Sequence, residues 1–172
     1  MQRIGLLLLL ALSPAMALAA EHKTYTHPTF LYAVDYPVSW KVREMGKAAT
    51  FSAPLESKDD RFAENVQVVA EDLSDLPGEL SLFDYHRKGV ENAGKFLTDF
   101  KPLEEARTDW LGRETLVMLY SATVRGERFR FKDYKFFVGK TAYVLTFTAR
   151  EADFDAFLPQ AEGVMRTIRV SP

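Results

Sequence analysis

The chain has 172 residues, no cysteine, and a formal charge of −2 from 22 basic and 24 acidic side chains. That is one domain's worth of chain, and its near-neutral balance excludes a long-range pull on phosphate backbones or acidic membranes. With no cysteine, the fold has no disulfide and no thiol nucleophile to draw on.

The amino end carries the first signal. Met1-Gln2-Arg3 supplies one positive charge, Ile4 to Leu12 is an unbroken apolar run, and Ser13-Pro14 precedes Ala15-Met16-Ala17-Leu18-Ala19-Ala20. This three-part pattern is that of a secretory signal peptide, and Ala17 and Ala19 place cleavage after Ala19. A membrane anchor would need about 20 apolar residues, and this run is shorter and broken by proline. Residues 1–19 are therefore expected to be removed, with loss of Arg3 taking the charge from −2 to −3. No cysteine stands near the cleavage site to take a lipid, so the expected location is the periplasm, with no stable membrane insertion.

Residues 20–28 are polar, hold His22 and His27, and suggest a flexible lead-in to a single domain over 29–172. Phe30 to Tyr36 suggests a strand stopped by Pro37. Trp40 to Arg43 resumes, Met45-Gly46-Lys47 turns the chain, and Ala49 to Ser52 is a short strand ended by Pro54. Leu55 to Glu64 is a charged loop, Asn65 to Glu71 a strand, and Asp75-Leu76-Pro77-Gly78 a turn. Ser81 can cap a helix, with Asp84 three residues on. Leu82, Tyr85, Val90 and Ala93 give that helix an apolar face, and Gly94 is a candidate residue for its end.

Phe96 to Ala106 is expected to contain a strand. Trp110-Leu111-Gly112-Arg113 then turns into three long strands separated by Arg125-Gly126-Glu127 and Gly139-Lys140, an antiparallel meander. Phe154, Phe157, Leu158, Ala161, Val164, Met165 and Ile168 recur at the helical period. Pro159 inside this run predicts either a kink or a helix starting near it.

The stretch 129–147, FRFKDYKFFVGKTAYVLTF, places seven aromatic rings among four basic side chains. Alternation puts Phe129 and Phe131 on one face and Arg130 and Lys132 on the other, while Tyr134, Phe136 and Val138 would fall with the basic residues. A β-bulge near Lys132-Asp133 is expected to shift that phase. A stacking platform for nucleic acid would need an RNP-type strand, which neither Arg125-Gly126-Glu127 nor Lys135-Phe136-Phe137-Val138 supplies. The rings are expected to form a wall of the core, and no nucleic-acid partner is expected.

Sites for chemistry are sparse. No Gly-x-Ser-x-Gly occurs, His22 and His27 lie in the lead-in, and His86 sits beside Asp84 and Arg87 on what should be a solvated helix face. No catalytic, cofactor-binding or metal-binding residues are assigned, and no cofactor is expected. Glu56, Asp59, Asp60 and Glu64 form an acidic loop that could hold a hard cation, although Lys58 and Arg61 among them favour a merely soluble loop. Tyr32, Tyr36, Trp40 and Trp110 lie near turns, where they either rim a groove or pack the edge of the core.

Read in order, several pieces resemble one family. Phe30-x-Tyr32-x-Val34-x-Tyr36-Pro37-x-x-Trp40 is similar to the opening strand and turn of the PsbP-like proteins, whose relatives include the envelope protein DcrB. Phe51 to Glu56 with Asp60-x-Phe62-x-Glu64-Asn65-Val66-x-Val68 resembles their next hairpin, and Ser81-Leu82-x-x-Tyr85 their first helix. The Trp110-Leu111-Gly112 turn, Tyr143-x-Leu145-Thr146-Phe147-Thr148-Ala149 and the final helix extend the likeness over about residues 29–170. The resemblance implies an α+β fold, an antiparallel sheet sandwiched between helices, and a non-catalytic exported accessory protein; the leading expectation is that it acts on a protein partner in the envelope. Two other readings are carried forward: a chaperone-like groove for apolar segments, and a hydrolase that would depend on His86.

Overall fold

Two tight turns set the frame. Leu111-Gly112 and Arg125-Gly126 have φ of 55° and 72°, and of 52° and 86°. Consecutive left-handed residues in a two-residue loop match the right-handed twist of paired strands, so each turn closes a hairpin. The computed structural model describes residues 21–171, and the leader expected over 1–19 lies outside them. Within them the chain forms β1 (His22–Thr26), β2 (Tyr32–Pro37), β3 (Lys41–Met45), β4 (Ala48–Ser52), β5 (Asn65–Asp72), α1 (Leu82–Phe96) and β6 (Thr98–Trp110). There follow β7 (Arg113–Val124), β8 (Glu127–Val138), β9 (Thr141–Arg150), α2 (Phe154–Met165) and β10 (Arg169–Val170).

A seven-stranded antiparallel sheet in the order β3-β4-β5-β9-β8-β7-β6 is the central layer. On one face lie α2 and a small sheet, β1-β2-β10; on the other lies α1, across β6, β7 and β8. This is the expected antiparallel sheet between helices. The main core lies on the α2 side, where Phe51, Val66, Val68, Phe136, Leu145 and Phe147 are all fully buried. Trp40, Tyr32 and Trp110 join that core, so these rings pack the interior and rim no groove.

The expected bulge near Lys132-Asp133 is corrected. β8 pairs residue by residue with both neighbours through this stretch, and its alternation is unbroken. Phe129, Phe131, Asp133, Lys135 and Phe137 face α1, while Arg130, Lys132, Tyr134 and Phe136 face α2. Both faces are covered, so neither set has to be polar. On the α2 side Lys132 Nζ donates to Glu162 at 2.6 Å, and the Tyr134 hydroxyl donates to the same carboxylate at 2.9 Å. The irregularities instead fall in the edge strand β6, between Thr98 and Glu104, where Pro102 needs no ladder partner on its outer side.

The flexible lead-in over 20–28 is also corrected: His22–Thr26 is a strand, paired from His22 opposite Pro37 to Thr26 opposite Ala33. His27 is 1% exposed. Its Nδ1 accepts the Thr29 and Phe30 backbone N–H groups at 3.2 and 3.3 Å, and its Nε2 donates to the Gly46 carbonyl at 3.0 Å. The opposite edge of β2 is taken by β10. There Arg169 forks onto the Asp35 carboxylate at 2.6 and 2.8 Å, and the Asp35 N–H donates to Thr167 Oγ1 at 2.9 Å. The Arg169 hydrogen bonds hold the Asp35 carboxyl down at about 2.

The helices follow their sequence cues with two changes. Ser81 caps α1, accepting the Asp84 N–H at 3.0 Å, while its hydroxyl donates to the Asp84 carboxylate at 2.7 Å. Gly94 does not end the helix; α1 continues to Phe96, and a Cβ at Gly94 would meet the Phe100 ring at an ordinary contact distance of 3.7 Å. α2 begins at Phe154 and runs through Pro159, so a helix starting at that proline is ruled out. Replacing Ser81 by Ala should cost about 1 kcal/mol of stability, read as a lower urea midpoint at unchanged slope.

Candidate binding cleft

α1 is thinly packed for a helix on a sheet. Its one fully buried residue is His86, while Phe83 and Phe96 stand 64% and 82% exposed. The Tyr85, Gly89 and Ala93 side of the helix stands off the sheet, and a hollow of about 460 Å³ remains beneath it. Its floor comes from three adjacent strands: Met118 and Tyr120 of β7, Asp133 and Lys135 of β8, and Val144 of β9. Met118 lies across from Asp133, and Lys135 across from Val144, so these side chains share one face by register. The outer wall is the end of β5 and the loop after it, with Leu73, Leu76 and Leu80. A second hollow of about 510 Å³ continues past the same leucines to Phe137 and Lys140.

The floor is charged yet neutral overall. Lys135 Nζ donates to Asp133 Oδ2 at 2.9 Å, with both side chains more than nine-tenths buried. Asp133 Oδ1 is buried and makes no well-formed hydrogen bond. The Tyr120 hydroxyl is kept protonated by burial first and by the neighbouring Asp133 carboxylate second, and its ring stacks on Phe131 with centroids 4.8 Å apart. At the rim the Tyr85 hydroxyl donates to Glu71 at 3.0 Å.

His86 corrects an expectation. It is 4% exposed and faces the sheet, with Nε2 3.8 Å from Glu105 and Nδ1 buried without a partner. Burial, then the Lys135 charge, pushes its pKa below the ordinary value, against an opposing pull from Glu105 and Asp133. A lowered folded-state pKa means that the unfolded chain binds the proton more readily. Stability from this site is therefore complete above about pH 6.5 and falls as pH drops towards the folded-state value. Urea midpoints between pH 5 and 7.5 should show this loss, and His86→Leu should flatten that part of the profile. The charged groups acting on His86 are Glu105, Asp133 and Lys135.

The acidic loop over 55–64 is committed to its own structure. Asp60 accepts the Glu56 and Phe62 N–H groups, both at 3.1 Å, and a guanidinium bond from Arg150 at 2.9 Å. Glu64 is buried, and burial raises its pKa. Among the described residues, no three His, Asp or Glu side chains are grouped to hold a metal ion. Nor is any helix among them long and apolar enough to cross a membrane.

Sequence legibility at the cleft was limited. Tyr85 belongs to the apolar face that the sequence gives α1, whereas no motif in the sequence marks Asp133 and Lys135. The available signal was their spacing of two within a strand whose both faces are rich in rings.

No protein-family profile matches the chain, and no curated protein matches it in sequence. Solved structures match in fold. PA94, a Pseudomonas aeruginosa protein of unknown function, superposes with a TM-score of 0.64 at 18% identity, over 89% of this chain and 99% of that one. Cyanobacterial PsbP from Synechocystis gives 0.65 at 16% identity, over 92% and 98%. LpqN of Mycobacterium tuberculosis, involved in cell envelope biogenesis, gives 0.62 at 12% identity, over 88% and 91%. The chain has the PsbP-like fold.

Proposed function

We propose that this chain is an exported, non-catalytic accessory protein of the cell envelope, acting by protein–protein contact through the cleft under α1. Export rests on the leader pattern of residues 1–19, and the envelope setting is supported by the fold shared with LpqN. A fold hosts many functions, so the site carries the argument. The observation that carries it is a helix standing off its sheet over a roofed hollow with apolar walls and a buried polar floor, the usual make-up of a recognition site.

The chaperone-like reading is favoured by the second hollow, which extends the cleft along Leu73, Leu76 and Phe137 into a groove. The two readings differ in the number of partners. A photo-crosslinking residue at Asn92, on the cleft rim, should capture one dominant envelope protein in cells. The same residue at Arg43, on β3 at the far edge of the sheet, should not. Gly89→Leu should abolish the capture, because a Cβ at Gly89 meets nothing within 4 Å and the added side chain fills the cleft without a clash. Many partners captured from Asn92 would favour the chaperone-like groove. No partner above background at Asn92 would overturn both.

A further inference from the structure

The one fully buried side chain of α1 is also the helix's only group that changes charge close to neutral pH. Leu82, Val90 and Ala93 beside it are half-buried. The chain enters the helix through Gly78, at φ 89°, and leaves it directly into β6. The carboxyl end is thereby tied to the sheet, and the amino-terminal half, which carries His86, is the end that can swing. Glu105 of β6 lies 3.8 Å from His86 Nε2 with its side chain 52% exposed, while Asp133 and Lys135 of β8 hold each other. Tyr120 of β7 is uncharged, Arg107 of β6 pairs with Glu114 at 2.8 Å, and on α1 itself Asp84 and Arg87 pair at the surface. With Nε2–H turned to Glu105, an added proton goes to Nδ1, which is buried with no hydrogen-bond partner, and sets a second cation near Lys135. Asp133 is already engaged by Lys135 and Glu105 is half in water, so neither neutralises the new charge. Lifting the helix gives both ring nitrogens to water.

We infer that α1 is a lid on the cleft with His86 as its latch: protonation of the ring frees the amino-terminal half of the helix from the sheet and opens the hollow beneath it. A helix with few buried apolar contacts belongs to the low-stability end of a fold, where opening apart from the rest of the molecule costs least. The helix roofs the 460 Å³ hollow, so its lifting uncovers Met118 on the floor, which is otherwise buried. The opening goes beyond the proposed binding role and is read with no partner present.

Amide hydrogen exchange on the full exported chain, expressed as protection at each pH, tests this. The α1 amides should be at least roughly tenfold less protected than those of β9 at pH 7.5 and at pH 5, the mark of a helix that opens apart from the sheet. Between those two pH values α1 protection should fall roughly tenfold, over the same interval in which the His86 ring resonances titrate. In His86→Gln, and again in His86→Leu, that fall should disappear. Because the chain has no cysteine, Met118→Cys puts a single thiol on the cleft floor. Its labelling, relative to Arg43→Cys on the exposed β3 edge, should be roughly tenfold faster at pH 5 than at pH 7.5. Protection of α1 equal to that of β9, protection that holds or rises in acid, a fall that survives both substitutions, or no gain in labelling would each overturn the inference. Capture from Asn92 at neutral pH needs no acid opening, so the lid and the binding role can each fail alone.

Discussion

Replacing Phe147 by Ala is expected to cost about 3–5 kcal/mol, the range for deleting a fully buried aromatic ring. Phe147 has no exposed surface, lies on β9 opposite Val66 of β5, and sets its ring 5.0 Å from that of Phe154 on α2. The backbone around it is held by paired strands on both sides, so the hole cannot close by local collapse and the cavity term adds to the transfer term. For a domain whose whole stability is about 5–15 kcal/mol, this is a large share of the total and should lower the urea midpoint markedly. A loss under about 1 kcal/mol would mean that α2 does not pack on the central sheet as described.

Lys135→Met has the second large effect. Removing the ammonium leaves the Asp133 carboxylate buried without a counter-charge, and breaking a buried pair from one side costs about 3–5 kcal/mol. The double replacement Asp133→Leu/Lys135→Met should recover most of that loss, since a well-packed apolar pair is often neutral or better than the ion pair it replaces. Denaturant melts of the two single variants and the double variant close a cycle, with a coupling of several kcal/mol expected. Additive losses would place the pair in water. The recovery in the double variant would also show that the pair is not retained for stability.

The parts of the fold that were legible in the sequence are those fixed by local chemistry. Gly112, Gly126 and Gly139 sit where positive φ is required, so the meander of β7, β8 and β9 could be read from its turns. Ser81 with Asp84 marked the start of α1. β1 was not legible because HKTYT has no apolar alternation; it is a strand only because β2 offers it an unpaired edge and His27 anchors the turn that follows. The bulge proposed at Lys132-Asp133 failed for a related reason. It assumed that a strand with lysine and arginine on one face must show that face to water, whereas α2 supplies Glu162 and Asp155 above it. His86 looked solvated between Asp84 and Arg87, but those two point outward and pair with each other while the ring turns in towards the sheet. Side-chain direction on a helix depends on which way the helix is rotated, and for α1 the polar sequence gave weak guidance.

The clasp between Asp35 and Arg169 joins residues 134 apart in the chain. A polypeptide delivered amino end first therefore exposes β2 with a bare edge for nearly its whole length, and that edge cannot be closed until residues 167–170 emerge. Each doubling of the intervening segment costs only about 0.6 kcal/mol in closure entropy, so the contact is affordable in energy yet late in time. The small sheet is fastened by residues that arrive long after β2 itself. Anything that delays residues 167–170 keeps the small sheet open, and the timing of its closure is then set by their delivery, with the stability of the intervening strands having little say.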